Sequence, residues 1–323
     1  MRIIAGSGRS GTTWVLDAMA EANSVRPIFE PLNTVHDTVG AFADCYVDPG
    51  KHSADLRQFF ERLVSGEHHS LFSDFRVRPE RLRLRLEVLS SSEELKKYCR
   101  RWEKLCRNYG DYQRTRGRSS TLIKIIRGNL MLGWLSSHFN ARILLLIRHP
   151  GAVVESQLRL GNDQWEPYTK LEKYRSDLGL SRAYLEKFSH LTHRKLSLAQ
   201  AHTLNWCIEN QIPLLEAEAK GYTVIFYESL FNDPQREWQR AAQGLDLQSM
   251  PSAASIARPS QQASSQWRTG PAADRRCCHW LERISPVALE DVDSVLREMQ
   301  VKVYDAYQPL PIVDAAQSFG SMG

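Results

Sequence analysis

The chain has 323 residues, 42% of them hydrophobic and 24% charged, with a net charge of +5. That balance excludes disorder over most of the length and supplies enough apolar residues for a large core in one domain. No run reaches the roughly 18 apolar residues of a membrane span, and the first strand pattern begins at residue 2 with no space for a signal peptide, so a cytoplasmic protein is expected. Loss of an N-terminal anchor from a longer chain is the open alternative. The six cysteines lack metal-ligand spacing and there is no Asn-x-Ser/Thr acceptor, which points away from a zinc site and from a glycosylated lumenal protein.

In chain order, the first predicted element is the apolar strand Arg2–Ala5. It runs into Gly6-Ser7-Gly8-Arg9-Ser10-Gly11-Thr12-Thr13, after which Val15, Leu16, Ala18, Met19 and Ala22 repeat at helical spacing. Gly6 and Gly11 have the spacing of a nucleotide-binding loop, whose backbone N–H groups converge on an anion at a helix N-terminus. Where a nucleoside triphosphatase carries its lysine this chain has Thr12, and the loop's cation is Arg9, inside the glycine bracket.

Further strand patterns lie at Arg26–Phe29, Thr121–Ile126, Arg142–Ile147 and Thr223–Phe226, alternating with helical patterns. The expectation is an α/β fold with a P-loop-like parallel sheet of five strands flanked by helices, as a single domain over residues 1–323. Residues 32–118 show no clear strand. Leu56, Phe59, Phe60 and Leu63, then Leu95, Tyr98, Trp102 and Leu105, repeat at helical spacing there, so this is read as a helical insertion over the active site. From Arg76 to Arg118 it holds fourteen Lys or Arg against six Asp or Glu, which leaves open an anionic partner or a solvated helical face. Leu196–Lys220 is predicted as the longest helix, Ser249–Gly270 as a loop, and Ser285-Pro286 as the start of a final helix to about Tyr304.

A second anion site is expected at Arg148, which ends an apolar strand, with Pro150 opening a helix and Ser156 two turns into it. The alternative for Arg148 is a helix cap or a pairing with a neighbouring acid. Two anion pockets at one sheet mouth suit a nucleotide with phosphates at both its 5′ and 3′ ends. At these residues the chain resembles the sulfotransferases that use 3′-phosphoadenosine 5′-phosphosulfate (PAPS). Gly8 to Trp14 match that family's 5′-phosphosulfate loop, Arg148 with Ser156 its 3′-phosphate motif, and Phe226-Tyr227-Glu228-Ser229-Leu230 its strand-end element, whose tyrosine lies near the adenine. Arg9, together with Phe29-Glu30-Pro31, is similar to the carbohydrate-type and bacterial branch.

The resemblance implies sulfuryl transfer from PAPS to an acceptor hydroxyl, with adenosine 3′,5′-bisphosphate as product and no metal. Its donor-binding residues would be Ser7, Gly8, Arg9, Ser10, Gly11, Thr12, Thr13, Arg148, Ser156, Tyr227 and Arg268, the last in a late basic loop. Glu30 is the expected general base, the alternative being a structural carboxylate paired with Arg9 or Lys124; His36 is the second choice of base. Lys124, inside an apolar run, touches the transferred group or serves in structural pairing. The acceptor is expected to be a glycan or small molecule, with the insertion as its lid and no nucleic acid or membrane span involved; oligomeric state is not legible. A P-loop kinase, which would need the missing lysine and a Mg²⁺-binding acid, and a non-catalytic polyanion-binding protein are the rival readings.

Overall fold

Alternation within each strand builds two cores. The computed structural model of the protein describes residues 1–33, 38–77, 91–117, 120–161, 165–258 and 277–312. Its strands are β1 (Arg2–Ala5), β2 (Arg26–Phe29), β3 (Thr121–Ile125), β4 (Arg142–Ile147) and β5 (Thr223–Phe226). All pair in parallel, in the spatial order β2-β3-β1-β4-β5, with Ile3 of β1 opposite Ile123 on one side and Ile143 on the other. Ile3 and Ala5 face one apolar cluster and Ile4 the other, so the strands read as continuous apolar runs because both faces are covered.

The helices are α1 (Thr12–Asn23), α2 (Ala54–Ser65), α3 (Leu71–Phe75), α4 (Ser92–Thr115), α5 (Leu132–Phe139), α6 (Pro150–Leu160), α7 (Pro167–Ser176), α8 (Leu198–Lys220), α9 (Pro234–Gly244) and α10 (Pro286–Glu298), with shorter turns between them. After β1 the chain leaves through α1 into one core, whereas after β4 it leaves through α6 into the other, as the placement of Val15 and Leu16 against Val153 and Val154 shows. The connections at the carboxyl ends of these neighbouring strands therefore diverge. This is the topological switch point, the position at which open parallel sheets bind ligands.

Helix boundaries follow local chemistry. α8 begins at Leu198 because Ser197 and Gln200 form a reciprocal capping box, and Gly221 ends it in the left-handed region. α10 starts on Ser285 and Pro286 but stops at Glu298, short of the expected Tyr304. Gln300 takes φ 56° and the Val301 N–H donates to the Leu296 carbonyl at 2.9 Å, a left-handed cap that turns the chain away. Within Ser249–Gly270, expected to be a loop, Ala253–Ala257 forms a short helix capped by Ser252; residues 259–270 lie outside the described residues.

The two helical patterns of residues 32–118 fare differently. Leu56, Phe59, Phe60 and Leu63 of α2 are buried in the core with Trp134 and Leu135 of α5. α4 packs on α3 and β2 but buries only Asn108, and Trp102 stays 42% exposed.

Candidate functional site

The loop after β1 is shaped by backbone contacts that its glycines permit. Gly11 caps α1 at φ 92°, and a Cβ there would come within 2.5 Å of the Tyr227 ring; at Gly8 one would meet the Trp165 ring at 2.3 Å. Arg9 itself sits at φ 75°. Ser10 Oγ donates to the Ser7 carbonyl, and the Gly6 N–H donates to Asn129 Oδ1 at 3.2 Å. Ser7, Ser10, Thr12 and Thr13 are all buried, and Ser7 Oγ has no hydrogen-bond partner.

Arg148 and Ser156 come to this loop from β4 and α6. Arg9 Nε donates to Ser156 Oγ at 3.0 Å, Arg148 Nη1 donates to the Arg9 carbonyl at 3.0 Å, and Gln157 Nε2 donates to the Gly8 carbonyl at 3.4 Å. The Arg148 guanidinium lies 4.6 Å from the centre of the Tyr227 ring, while its Nε is buried and without a partner. Burial, then the positive charges of Arg148 and Arg159, pull the Arg9 pKa down to about 10. Among the described residues neither Arg9 nor Arg148 forms an ion pair, so the cluster holds crowded cationic charge that an anion would relieve.

Glu30 and Lys124 form a separate buried pair. β2 pairs with β3 so that Phe29 lies opposite Lys124, and the next residue, Glu30, turns at φ 47° to bring its carboxylate onto the Lys124 ammonium. Both side chains are more than nine-tenths buried; Glu30 Oε2 also accepts from the Ile126 N–H at 3.2 Å, and Lys124 Nζ lies 4.5 Å from the Phe29 ring centre. Burial lowers the Lys124 pKa against the opposing pull of Glu30. Of the two partners considered for Glu30, the structure pairs it with Lys124.

The loop, Arg148, Ser156 and Tyr227 thus converge, with Glu30 just past the end of β2 and Lys124 on the adjacent β3. His36 and Arg268 lie outside the described residues. Asn129 and Gln157, which hold loop backbone atoms, escape sequence reasoning; their signal is a polar side chain just after a strand and one beside Ser156. Among the described residues there is no group of three or more His, Cys, Asp or Glu side chains that could hold a metal, and no helix is long and apolar enough to cross a membrane.

A model of the sulfotransferase family matches residues 3–251. Among solved structures, the sulfotransferase domain from the curacin biosynthetic pathway is 14% identical with a TM-score of 0.44, covering 93% of this chain and 97% of that one. The sulfotransferase domain from the Synechococcus PCC 7002 olefin synthase is 19% identical with a TM-score of 0.43, covering 94% of each chain. No curated protein matches. Since the family match takes in the loop, Glu30, Lys124, Arg148, Ser156 and Tyr227 alike, the chain belongs to the sulfotransferase family.

Proposed function

We propose that this protein transfers a sulfuryl group from PAPS to a hydroxyl of a carbohydrate or other small-molecule or glycoconjugate acceptor. The observation that carries this reading is the 3.0 Å hydrogen bond from Arg9 Nε to Ser156 Oγ. It joins the two anion motifs, so that one ligand with anionic groups at both ends spans them. The orphaned, buried Ser7 Oγ and Arg148 Nε fit the same ligand.

When bound, PAPS supplies an activated sulfuryl group whose bond to the phosphate breaks as the acceptor oxygen attaches. The loop amides, Ser7, Ser10, Thr12, Thr13 and Arg9 hold the 5′ end, with the charge of Arg9 stabilising the departing phosphate. Arg148 and Ser156 hold the 3′-phosphate and Tyr227 flanks the adenine. A guanidinium cannot give up its proton, so Arg9 acts by charge and hydrogen bonding. Glu30 takes the acceptor's proton, and Lys124, paired with it beforehand, reaches the transferred group when the pair opens.

A cleft of about 860 Å³ runs between α1, α3 and α4, and Glu30, Lys124 and residues 6–13 are not among the residues that line it. Its wall includes Arg76 paired with Asp17, and both act electrostatically on Lys124. Equilibrium binding tests the donor: adenosine 3′,5′-bisphosphate is expected to bind far more tightly than ATP with Mg²⁺, and equal affinity, or no binding of the bisphosphate, refutes the proposal. Mass-resolved sulfate transfer across a panel of glycans and small hydroxyl compounds identifies the acceptor.

A further inference from the structure

Residues 277–306, beyond the family match at 3–251, wrap the turn that carries Arg148. His149, the N-cap of α6, is fully buried at that turn. Its Nδ1 accepts from the Gly151 N–H at 3.0 Å and its Nε2 faces the Asp305 carbonyl at 2.9 Å, a pair of partners that only the neutral ring with a proton on Nε2 satisfies. The Trp280 ring stacks on His149 with centres 4.3 Å apart and fills the space above Gly151, where a Cβ would come within 2.3 Å of it. Tyr304 stands edge-on to His149 at 4.9 Å.

One carboxylate ties these pieces together. Glu228 follows Tyr227 at the end of β5 and is fully buried. Its Oε1 accepts from the His149 N–H at 3.0 Å and its Oε2 accepts from the Tyr304 hydroxyl at 2.7 Å. Arg148 makes no ion pair with it; its guanidinium is turned to the Arg9 carbonyl and the Tyr227 ring. Burying a carboxylate costs more than burying an apolar side chain of similar size, so stability alone is a poor reason for a glutamate here. Its two bonds fix the backbone immediately after Arg148 and leave the guanidinium pointing at the loop.

We propose that Glu228 is a positioning residue for Arg148, and that Tyr304 of the C-terminal segment holds it in place. This rests on the reading of Arg148 and Ser156 as the 3′-phosphate arm. The consequence is that the grip on a 3′-phosphate depends on a segment that lies beyond the loop motif and beyond the residues the family match covers. Glu228→Gln keeps both contacts, because its carbonyl accepts from the His149 N–H and its amide donates to the Tyr304 oxygen, whereas Glu228→Ala removes both and Tyr304→Phe removes the one made by the Tyr304 hydroxyl.

The test uses the full chain and two ligands, adenosine 3′,5′-bisphosphate and adenosine 5′-phosphosulfate, which lacks the 3′-phosphate. In Tyr304→Phe and Glu228→Ala, calorimetric titration is expected to show the bisphosphate weakened by about 10- to 100-fold, the loss that a displacement of about 1 Å brings. Binding of the phosphosulfate stays unchanged, and Glu228→Gln binds both as the wild type does. Equal losses for both ligands, or none for the bisphosphate, overturn the proposal; should Glu228→Ala not fold, Tyr304→Phe and Glu228→Gln decide. Hydrogen exchange on the ligand-free variants decides independently of the donor: amides of 148–156 are expected to exchange faster while those of 6–13 do not, and unchanged protection of 148–156 refutes the role. A wild type that binds neither ligand refutes the PAPS reading and leaves the exchange result to judge Glu228.

Discussion

The loop Gly6–Thr13 and the arm Arg148–Ser156 meet at a hydrogen bond, yet they are held in opposite ways. Much of the loop's form is local: Ser10 bonds back to Ser7, and Gly11 turns the chain into α1. The arm is held from afar, by Glu228, Trp280, Tyr304 and Asp305, and on the other side of β1 the pair Lys124–Glu30 likewise joins residues distant in sequence. A locally built element keeps its shape when a side chain is removed, whereas an element held by distant buried polar groups loses stability with each partner it loses. The two regions should therefore respond differently to substitution.

The buried pair gives the largest effects and the sharpest contrast. Glu30→Gln is expected to lower kcat by about 10²- to 10⁴-fold, as for a general base, while leaving adenosine 3′,5′-bisphosphate binding intact; sulfate transfer near the wild-type rate would remove Glu30 from catalysis. Lys124→Met leaves a carboxylate buried without its counter-ion and should cost about 3–5 kcal/mol in urea unfolding, most of it restored in the double variant with Glu30→Leu. A merely additive double variant would show that the pair is not coupled.

In the loop the balance reverses. Arg9→Ala should lower kcat by about 10²- to 10³-fold, the usual effect of losing one preorganised charge donor, with little change in unfolding free energy because Arg9 forms no ion pair among the described residues. A loss of stability comparable to that of Lys124→Met would erase the distinction between the two regions.

The arm adds a pH signature. His149 has its pKa pushed down to about 4 from 6.5, chiefly by burial, so the folded protein favours the neutral ring. The stability this contributes is fully present above about pH 6.5 and is lost as pH falls towards about 4, at up to ~1.4 kcal/mol per pH unit. Glu209, Glu216 and Glu228, whose pKa values burial raises, act with the opposite sign, so the quantity to measure is the difference between the wild type and His149→Gln. That difference should shrink as pH falls through the window; a constant difference would mean that His149 does not titrate there. The smallest effect belongs to α2, where breaking the exposed Arg57–Glu61 pair with Arg57→Ala should change stability by no more than about 0.5 kcal/mol.

The five strands and the loop were legible because their causes lie within a few residues: β-branched runs buried on both faces, and glycines where the backbone turns. What the sequence left undecided has local form but distant cause. Leu56, Phe59, Phe60 and Leu63 and the stripe from Leu95 to Leu105 carry the same helical pattern, yet α2 found the core beside α5 and α4 stayed largely exposed. The final helix ended early because the fold needed Tyr304 beside His149 and Glu228, which periodicity alone does not reveal.

By itself, then, the sequence determined the sheet, the glycine-bracketed loop, Arg148 and Glu30 at strand ends and Ser156 two turns into the following helix. Which partners these side chains take was decided only in three dimensions. Parallel register set Phe29 opposite Lys124 and so delivered Glu30 to it, and the divergence of α1 and α6 at the switch point brought Arg9 to Ser156. Such contacts arise from strand order and helix crossing, and these depend on how the whole core packs rather than on any stretch of chain.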